Sequence, residues 1–314
     1  MQEIPRWKEL CGNGRCVNER RNELFKPTDD FKTILDKCIT MDYIRELPQR
    51  KYEGVHLSEL GCPREYMFKV FGYRGIPDPE SIRALDNGTS WHDYIQGTLV
   101  KSRVVLPEAV ELALKSKLYE LDSNTDIGFM EIQGEIYLID LKTIRCSKGK
   151  WDRGGFDNII SESDEHHRQV TLYIYFLNEM LKENQIEYNG RFITEIKKGI
   201  IVYIRKDGGV WKSDKNYNPQ DIPFDEDFRN KLQEMTDFKL IFSPRNRGYD
   251  LRCFTVYYEK LEALLYVKQV EELDKLIKEY LSTGEKKLPP PKKERNYYCE
   301  RLCSFPELCE KGVV

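Results

Sequence analysis

No apolar run in this 314-residue chain approaches the roughly 18 to 20 residues that a membrane-spanning helix needs. The first ten residues, with Glu3, Arg6, Lys8 and Glu9 among them, contain no apolar signal region. These two absences lead to the expectation of a cytoplasmic protein with no membrane partner. An excess of one charge is also missing, since 50 Lys+Arg stand against 53 Asp+Glu. Any nucleic acid would have to be held by local basic patches rather than by the field of the whole molecule. Internal repeats are absent, and the single biased tract is Pro289-Pro290-Pro291, a stiff linker. What remains is 40% hydrophobic and 33% charged. That is enough apolar residue in a long enough chain to bury a core, and it excludes whole-chain disorder.

The pattern divides the chain into three parts. Residues 1–54 are polar and mixed, and no role follows from them. Residues 55–284 carry the regular patterning of a core, and residues 285–314 hold the proline linker and a cysteine-rich segment. Within the core, Ser58 precedes Leu60, Tyr66, Met67, Val70 and Phe71, which reads as a helix stopped at Gly72. Trp91, Tyr94, Ile95 and Leu99 suggest a second helix, entered through Asp86-Asn87-Gly88-Thr89. Asp126 to Ile132 and Glu135 to Ile144 have strand character and flank Gln133-Gly134, a hairpin signal. A helix follows at about His166 to Leu181, then a strand at Gly199 to Ile204 ending in Asp207-Gly208-Gly209. Leu261 to Leu281 outlines a long amphipathic helix, or two with a break, closed by Gly284. Strand, strand, helix, strand implies an α/β fold whose mixed sheet is covered by helices.

The hairpin carries the chemistry. Asp140 and Lys142 are two apart on a strand, so both side chains leave from one face. A turn centred on Gln133-Gly134 brings Asp126 within one residue of lying across from Asp140, at a Cβ separation of about 5 Å for opposed residues. Two such carboxylates can share a hard cation such as Mg²⁺ or Mn²⁺. The cation would generate hydroxide and stabilise charge on a scissile phosphate, while Lys142 orients the water or neutralises the same oxygens. The bland reading is an exposed hairpin face on which Asp, Asp and Lys merely solvate the strand. His166, Gln169 and Tyr173 share one helical face after the hairpin. Gln and Tyr are hydrogen-bonding partners for a phosphate backbone or for the lysine, although Tyr173 reads equally as a core residue. His92, taken alone, reads as a structural histidine.

Nine cysteines in a chain with no need of staples point to metal ligands or buried thiols rather than disulfides. Cys299, Cys303 and Cys309 fall within eleven residues after the proline linker, a density that suggests a metal or cluster with a fourth ligand from elsewhere. Cys11, Cys16 and Cys38 read as a further zinc site or as ordinary thiols, and Cys146 and Cys253 as buried ones.

Taken together, residues 56 to 309 resemble the PD-(D/E)XK nuclease superfamily, in its RecB-like branch. Within that branch the likeness is to the CRISPR-associated iron-sulfur exonucleases and their phage-encoded relatives. The motifs are Gly88-x-x-x-His92, Ser123-x-x-Asp126, Asp140-Leu-Lys142, Gln169-x-x-x-Tyr173 preceded by His166, and the strand Ile200 to Lys206. The resemblance implies a restriction-endonuclease-like core with a central mixed sheet, its ends clamped by a 4Fe-4S cluster on Cys62, Cys299, Cys303 and Cys309. It implies His92, Asp126, Asp140 and the Leu141 carbonyl as ligands of Mg²⁺ or Mn²⁺, with Lys142, Gln169 and Tyr173 completing the catalytic set. DNA, single-stranded or as a duplex end, would be the substrate, contacted by His166, Lys206, Arg145, Lys148 and Trp151 and by further basic residues near Lys150, Arg153, Arg245, Arg247 and Arg252. Protein partners in a recombination or adaptation complex, and a host cytoplasm if phage-encoded, belong to the same expectation. Two departures stand out: Ser123 replaces the usual glycine, and the C-x3-C-x5-C spacing differs from C-x2-C-x5-C. The second departure keeps a four-thiolate zinc site in view. The alternative functions are a catalytically silent DNA-binding or assembly subunit, and a redox or zinc-dependent regulatory module.

Overall fold

The computed structural model describes residues 30–47, 52–77, 79–144, 159–184, 186–188, 190–205, 251–291, 303 and 305–311. Its helices are α1 (Phe31–Glu46), α2 (Pro63–Val70), α3 (Pro79–Lys101), α4 (Asp164–Glu183), α5 (Lys260–Thr283) and α6 (Pro306–Lys311). Its strands are β1 (Val110–Ala113), β2 (Asn124–Ile132), β3 (Glu135–Ile144), β4 (Ile186–Tyr188), β5 (Arg191–Ile193), β6 (Lys198–Arg205) and β7 (Leu251–Tyr257). Five strands form one sheet in the order β1-β2-β3-β6-β7, while β4 and β5 form a separate pair. The β3–β6 pairing is parallel and the other neighbours in the large sheet are antiparallel. The fold is therefore mixed α/β with helices against a mixed sheet, as the sequence pattern implies.

The β2–β3 hairpin turns on Gln133 (φ 53°) and Gly134 (φ 82°). Positive φ at both central residues matches the right-handed twist of the flanking strands. Pairing then runs Ile132↔Glu135, Glu131↔Ile136 and Met130↔Tyr137, shifts by one residue, and resumes at Ile127↔Ile139. The irregularity in β2 shifts the register by one residue toward Asp126, and the Asp126 carboxylate accepts from the Leu141 N–H, next to Asp140.

Strand β3 lies inside the sheet, and Leu138, Ile139, Asp140 and Leu141 are all buried. A strand covered on both faces reads as a continuous apolar run, and a carboxylate within it is costly to bury. Helix α4 makes the crossover from β3 to β6. Ser163 caps it by accepting from the His166 N–H, and Val170, Leu172, Ile174, Phe176 and Leu177 are buried along it. Its approach to β6 is very close, since a Cβ on Gly199 would stand 2.4 Å from Val170 Cγ1. Near its end, Asn178 donates to the Ile196 carbonyl (2.9 Å) and accepts from the Ile196 N–H (2.7 Å), which fixes the chain entering β6.

The chain divides into two compact units. One contains the described residues of Met1–Glu53, Cys62–Asn87 and Glu279–Val314, and the other Gly54–Gly61 with Gly88–Lys278. In the first unit Phe305 packs on Phe68 (ring centroids 5.5 Å apart), Phe71 on Tyr280 (4.8 Å), and Arg64 donates to the Pro289 carbonyl (2.7 Å). These contacts draw Cys62–Asn87 to the C-terminal stretch, so the division departs from the sequence boundaries at 54 and 284.

Several local expectations are corrected. The run from Ser58 to Phe71 is broken into a 3-10 turn (Leu57–Gly61) and α2, because Pro63 at the first helical turn starts a new helix after Cys62. Asp86-Asn87-Gly88-Thr89 is no entry point but lies within the 23-residue α3, which begins at Pro79. Gly88 costs about 1 kcal/mol against alanine there, a cost that a helix of this length absorbs. Leu261 to Leu281 is one helix, ended by Gly284 at φ 73°. Cys253 is exposed on the edge strand β7 rather than buried. Helices α1 and α6 and strands β1, β4, β5 and β7 have no counterpart among the elements expected from sequence. No helix among the described residues is long and apolar enough to cross a membrane.

Candidate active site

Within the second unit, the ends of β2 and β3, helix α4 and the last turns of α3 bring polar groups together. Asp140 is 1% exposed, and its Oδ1 accepts from Lys142 Nζ at 2.9 Å and from Gln169 Nε2 at 3.4 Å. Gln169 Nε2 also lies 2.7 Å from the Tyr173 hydroxyl, which it serves as donor. Asp126 accepts from the Leu141 N–H through Oδ2 at 2.5 Å, and its Oδ1 is 3.3 Å from His92 Nδ1. Asp140, Lys142, Gln169 and Tyr173 thus form one bonded group, and Asp126 with His92 and the Leu141 N–H form a second, the two adjoining on β3 at Asp140 and Leu141. The exposed-hairpin reading fails on burial.

Burial raises the Asp140 carboxyl to about 6; the Asp126 charge pushes the same way, and the Lys142 and His92 charges oppose it. For Lys142, burial favours the neutral amine, but the Asp140 and Asp126 charges outweigh it and its pKa ends raised. His92 follows the same logic: burial favours the neutral ring, yet the hydrogen bond and charge of Asp126 leave its pKa raised. Tyr173 is pushed up, chiefly by burial, so its hydroxyl remains a neutral donor and acceptor.

A cleft of about 320 Å³ opens on these groups, lined by Asp126, Lys142, Gln169 and Tyr173. Its other lining residues are His56, Ser58, Glu111, Asp122, Ser123 and Asn124, none of which the sequence reading gave a site role. Glu111 on β1 has a left-handed backbone (φ 49°), and Gln96, one helical turn beyond His92, donates to its carboxylate (2.8 Å) and to the Asp126 carbonyl (3.0 Å). The i, i+4 spacing of His92 and Gln96 was a legible signal, whereas the conformation of Glu111 was not.

Asp140 Oδ2 is buried and finds no hydrogen-bond partner among the described residues. A buried carboxylate oxygen without a donor is costly, and a cation is one group that would satisfy it. Hard oxygens from Asp126 and Asp140 with an imidazole nearby suit Mg²⁺ or Mn²⁺ as a donor set. Among the described residues, however, no three His, Cys, Asp or Glu side chains form a ready-made metal group.

His166 turns toward the sheet, with Nδ1 2.8 Å from the Tyr203 hydroxyl. Burial, helped by the Lys142 charge, lowers its pKa to about 4, so the ring is neutral. Arg145, Lys148, Lys150, Trp151, Arg153, Lys206, Arg245 and Arg247 lie outside the described residues, as do Cys11, Cys16, Cys146 and Cys299. Arg252 donates to the Ile159 carbonyl. In the first unit, Cys62 precedes α2 and Cys309 sits on α6, both partly exposed. Burial pushes the Cys303 thiol up to about 12, with contributions from Glu65 and Cys62.

No family model matches the chain, and no curated protein matches it. A solved structure titled "Crystal structure of SSO0001" aligns with 90% of this chain and 97% of its own at 15% identity and a TM-score of 0.44, a likeness too slight to carry an argument.

Proposed function

We propose that this chain is a metal-dependent DNA nuclease with a restriction-endonuclease-like core, acting as an exonuclease on DNA ends. The observation that carries the reading is the placing of Asp126, bonded to the Leu141 N–H, beside Asp140, whose Oδ1 is bonded by Lys142 and Gln169 at the cleft. The exonucleolytic mode rests on the sequence resemblance alone. Asp126 and Asp140 would hold Mg²⁺ or Mn²⁺, with His92 and the Leu141 carbonyl at its side. When bound, the cation supplies Lewis acidity toward the scissile phosphate and a water of lowered pKa.

The chain's own groups do the rest. Lys142 stays an ammonium beside two carboxylates, so it can orient the attacking water and counter charge on the phosphate oxygens. Gln169, tied to both Asp140 and Tyr173, keeps the buried carboxylate in one orientation. His92 holds Asp126 from the α3 side. In the first unit, Cys62, Cys299, Cys303 and Cys309 would carry the 4Fe-4S cluster, or zinc if the longer spacing excludes it.

The test is a cleavage assay on end-labelled single- and double-stranded DNA with Mg²⁺, Mn²⁺ or EDTA. Wild type should release label in a metal-dependent way, while Asp140→Ala and Lys142→Ala should lose at least about a thousandfold in rate. Retained activity in either variant would overturn the assignment of roles. A wild type that binds DNA but does not cleave it, whichever metal is added, would favour the catalytically silent DNA-binding or assembly subunit.

A further inference from the structure

The charges around the cleft oppose the substrate that the site is read to take. Its described lining holds three carboxylates, Glu111, Asp122 and Asp126, against one lysine, Lys142. That lysine is already bonded to Asp140 at 2.9 Å, so much of its charge is spent within the site. Asp140 adds a carboxyl that is 1% exposed and whose Oδ2 has no hydrogen-bond partner among the described residues. A phosphate oxygen entering here meets like charge, and a cleft focuses that field. The same arrangement suits a divalent cation, whose preferred ligands are hard oxygens.

Glu111 and Asp122 are both held in place. Gln96, 5% exposed on α3, donates from one amide nitrogen to the Glu111 carboxylate at 2.8 Å and to the Asp126 carbonyl at 3.0 Å. The Glu111 side chain is thereby tied to β2 at Asp126, and its backbone keeps a left-handed φ of 49° that residues other than glycine adopt at a cost. The Tyr173 hydroxyl, raised chiefly by burial, feels the Glu111 charge as well. On the other side, the Asp122 N–H donates to the Val55 carbonyl (3.0 Å) and Val55 bridges Leu121 in parallel. The hydroxyl of Ser123, next in sequence, accepts from the Leu57 N–H at 2.8 Å, which ties that distant segment to the start of β2. Both carboxylates therefore ride on backbone that the fold fixes, and their charge is a standing property of the cleft.

We propose that Glu111 and Asp122 make DNA binding at this cleft conditional on a divalent cation. Without the cation their charge keeps the phosphate backbone away; the bound cation offsets that charge and lets the strand enter. Linkage makes the effect mutual: the factor by which the cation tightens DNA binding is the factor by which DNA tightens cation binding. This rests on the metal-dependent nuclease reading and deepens it, because the cation then controls whether the site is occupied as well as what happens in it. The chain does not hold DNA in a cleft that lacks the means to cut it.

The test is anisotropy of labelled single-stranded DNA in EDTA and in Ca²⁺ at one low ionic strength, with a gel to confirm that the label stays intact. Wild type should bind about tenfold more tightly in Ca²⁺. Glu111→Gln with Asp122→Asn, which keep shape and remove charge, should bind about threefold more tightly than wild type in EDTA and cut the Ca²⁺ effect to about threefold or less. Calorimetry of Ca²⁺ binding to wild type with and without DNA should return the same factor of about ten, a reciprocity that a merely structural role for the two residues does not produce. Thermal unfolding checks that each variant folds, and Asp122→Asn alone carries the test if Glu111→Gln does not. Equal wild-type Kd in EDTA and Ca²⁺, or a folded variant that keeps the wild-type ratio, would overturn the proposal. If the ratio holds but neither Mg²⁺ nor Mn²⁺ supports cleavage, the nuclease reading falls and the conditional binding stands. Cleavage with a Kd indifferent to the cation does the reverse, and no DNA binding under any condition removes both.

Discussion

Asp140 concentrates the chemical tension of the site in one residue. It is buried in a central strand, shares one oxygen between Lys142 and Gln169, and has its other oxygen unpartnered among the described residues. Its carboxyl is raised from 3.8 to about 6, so between those values the folded state binds more protons than the unfolded one. The contribution to stability is therefore fully present below about pH 4 and is lost as pH rises through 6. A bound cation would have to displace that proton. Mn²⁺ affinity measured by calorimetry should then be nearly constant above pH 7 and fall by about tenfold per unit well below pH 6. An affinity that does not change between pH 7 and 5 would remove Asp140 from the ligand set. His166 works in the opposite sense: its pKa is lowered to about 4, so stability rises with pH between about 4 and 6.5. His166→Gln should flatten that part of the urea-midpoint profile; an unaltered profile would show that the ring does not titrate as placed.

At the scale of elements, α4 and β6 fix where Gln169 stands relative to Asp140. Their contact depends on the missing side chain at Gly199, where a Cβ would meet Val170 Cγ1 at 2.4 Å. Gly199→Ala should destabilise by about 1 to 3 kcal/mol through overpacking. Val170→Ala alone should cost a similar amount through a cavity. The double variant should be markedly more stable than the sum of the two, a coupling that denaturant unfolding measures directly. Additive effects would mean that the helix moves off the strand at little cost.

At the scale of the whole molecule, the C-terminal segment and the Cys62 region belong to one compact unit through Phe68, Phe71, Tyr280 and Phe305. If a metal or cluster closes this unit, holding residues far apart in sequence, its binding energy contributes to folding. Cys303→Ala should then lose iron, or zinc, by elemental analysis and lower Tm by several degrees more than Cys253→Ala, whose thiol is exposed on an edge strand. Equal metal content in wild type and Cys303→Ala would dismiss Cys303 as a ligand.

The hairpin, its turn, the helix after it and the D-x-K pair were legible because each depends on local periodicity and on what glycine permits. Asp126, Asp140, Lys142, Gln169 and Tyr173 could be named for the same reason: strand and helix spacing places them on shared faces. The placing of Asp126 at the Leu141 N–H, beside Asp140, was not legible, because it depends on a register shift in β2 that no local signal marks. The break before Pro63 was legible, because a proline starts a helix more readily than it continues one. Glu111, His56 and Ser58 reach the cleft through backbone pairing and an unusual φ, which involve partners tens of residues away. Sequence by itself determined which side chains could do chemistry and on what elements they sit. Only tertiary structure decided that Asp140 is buried, that Ser123 ties a distant segment to β2, and which residues share the cleft, because burial and long-range pairing are properties of the packed chain.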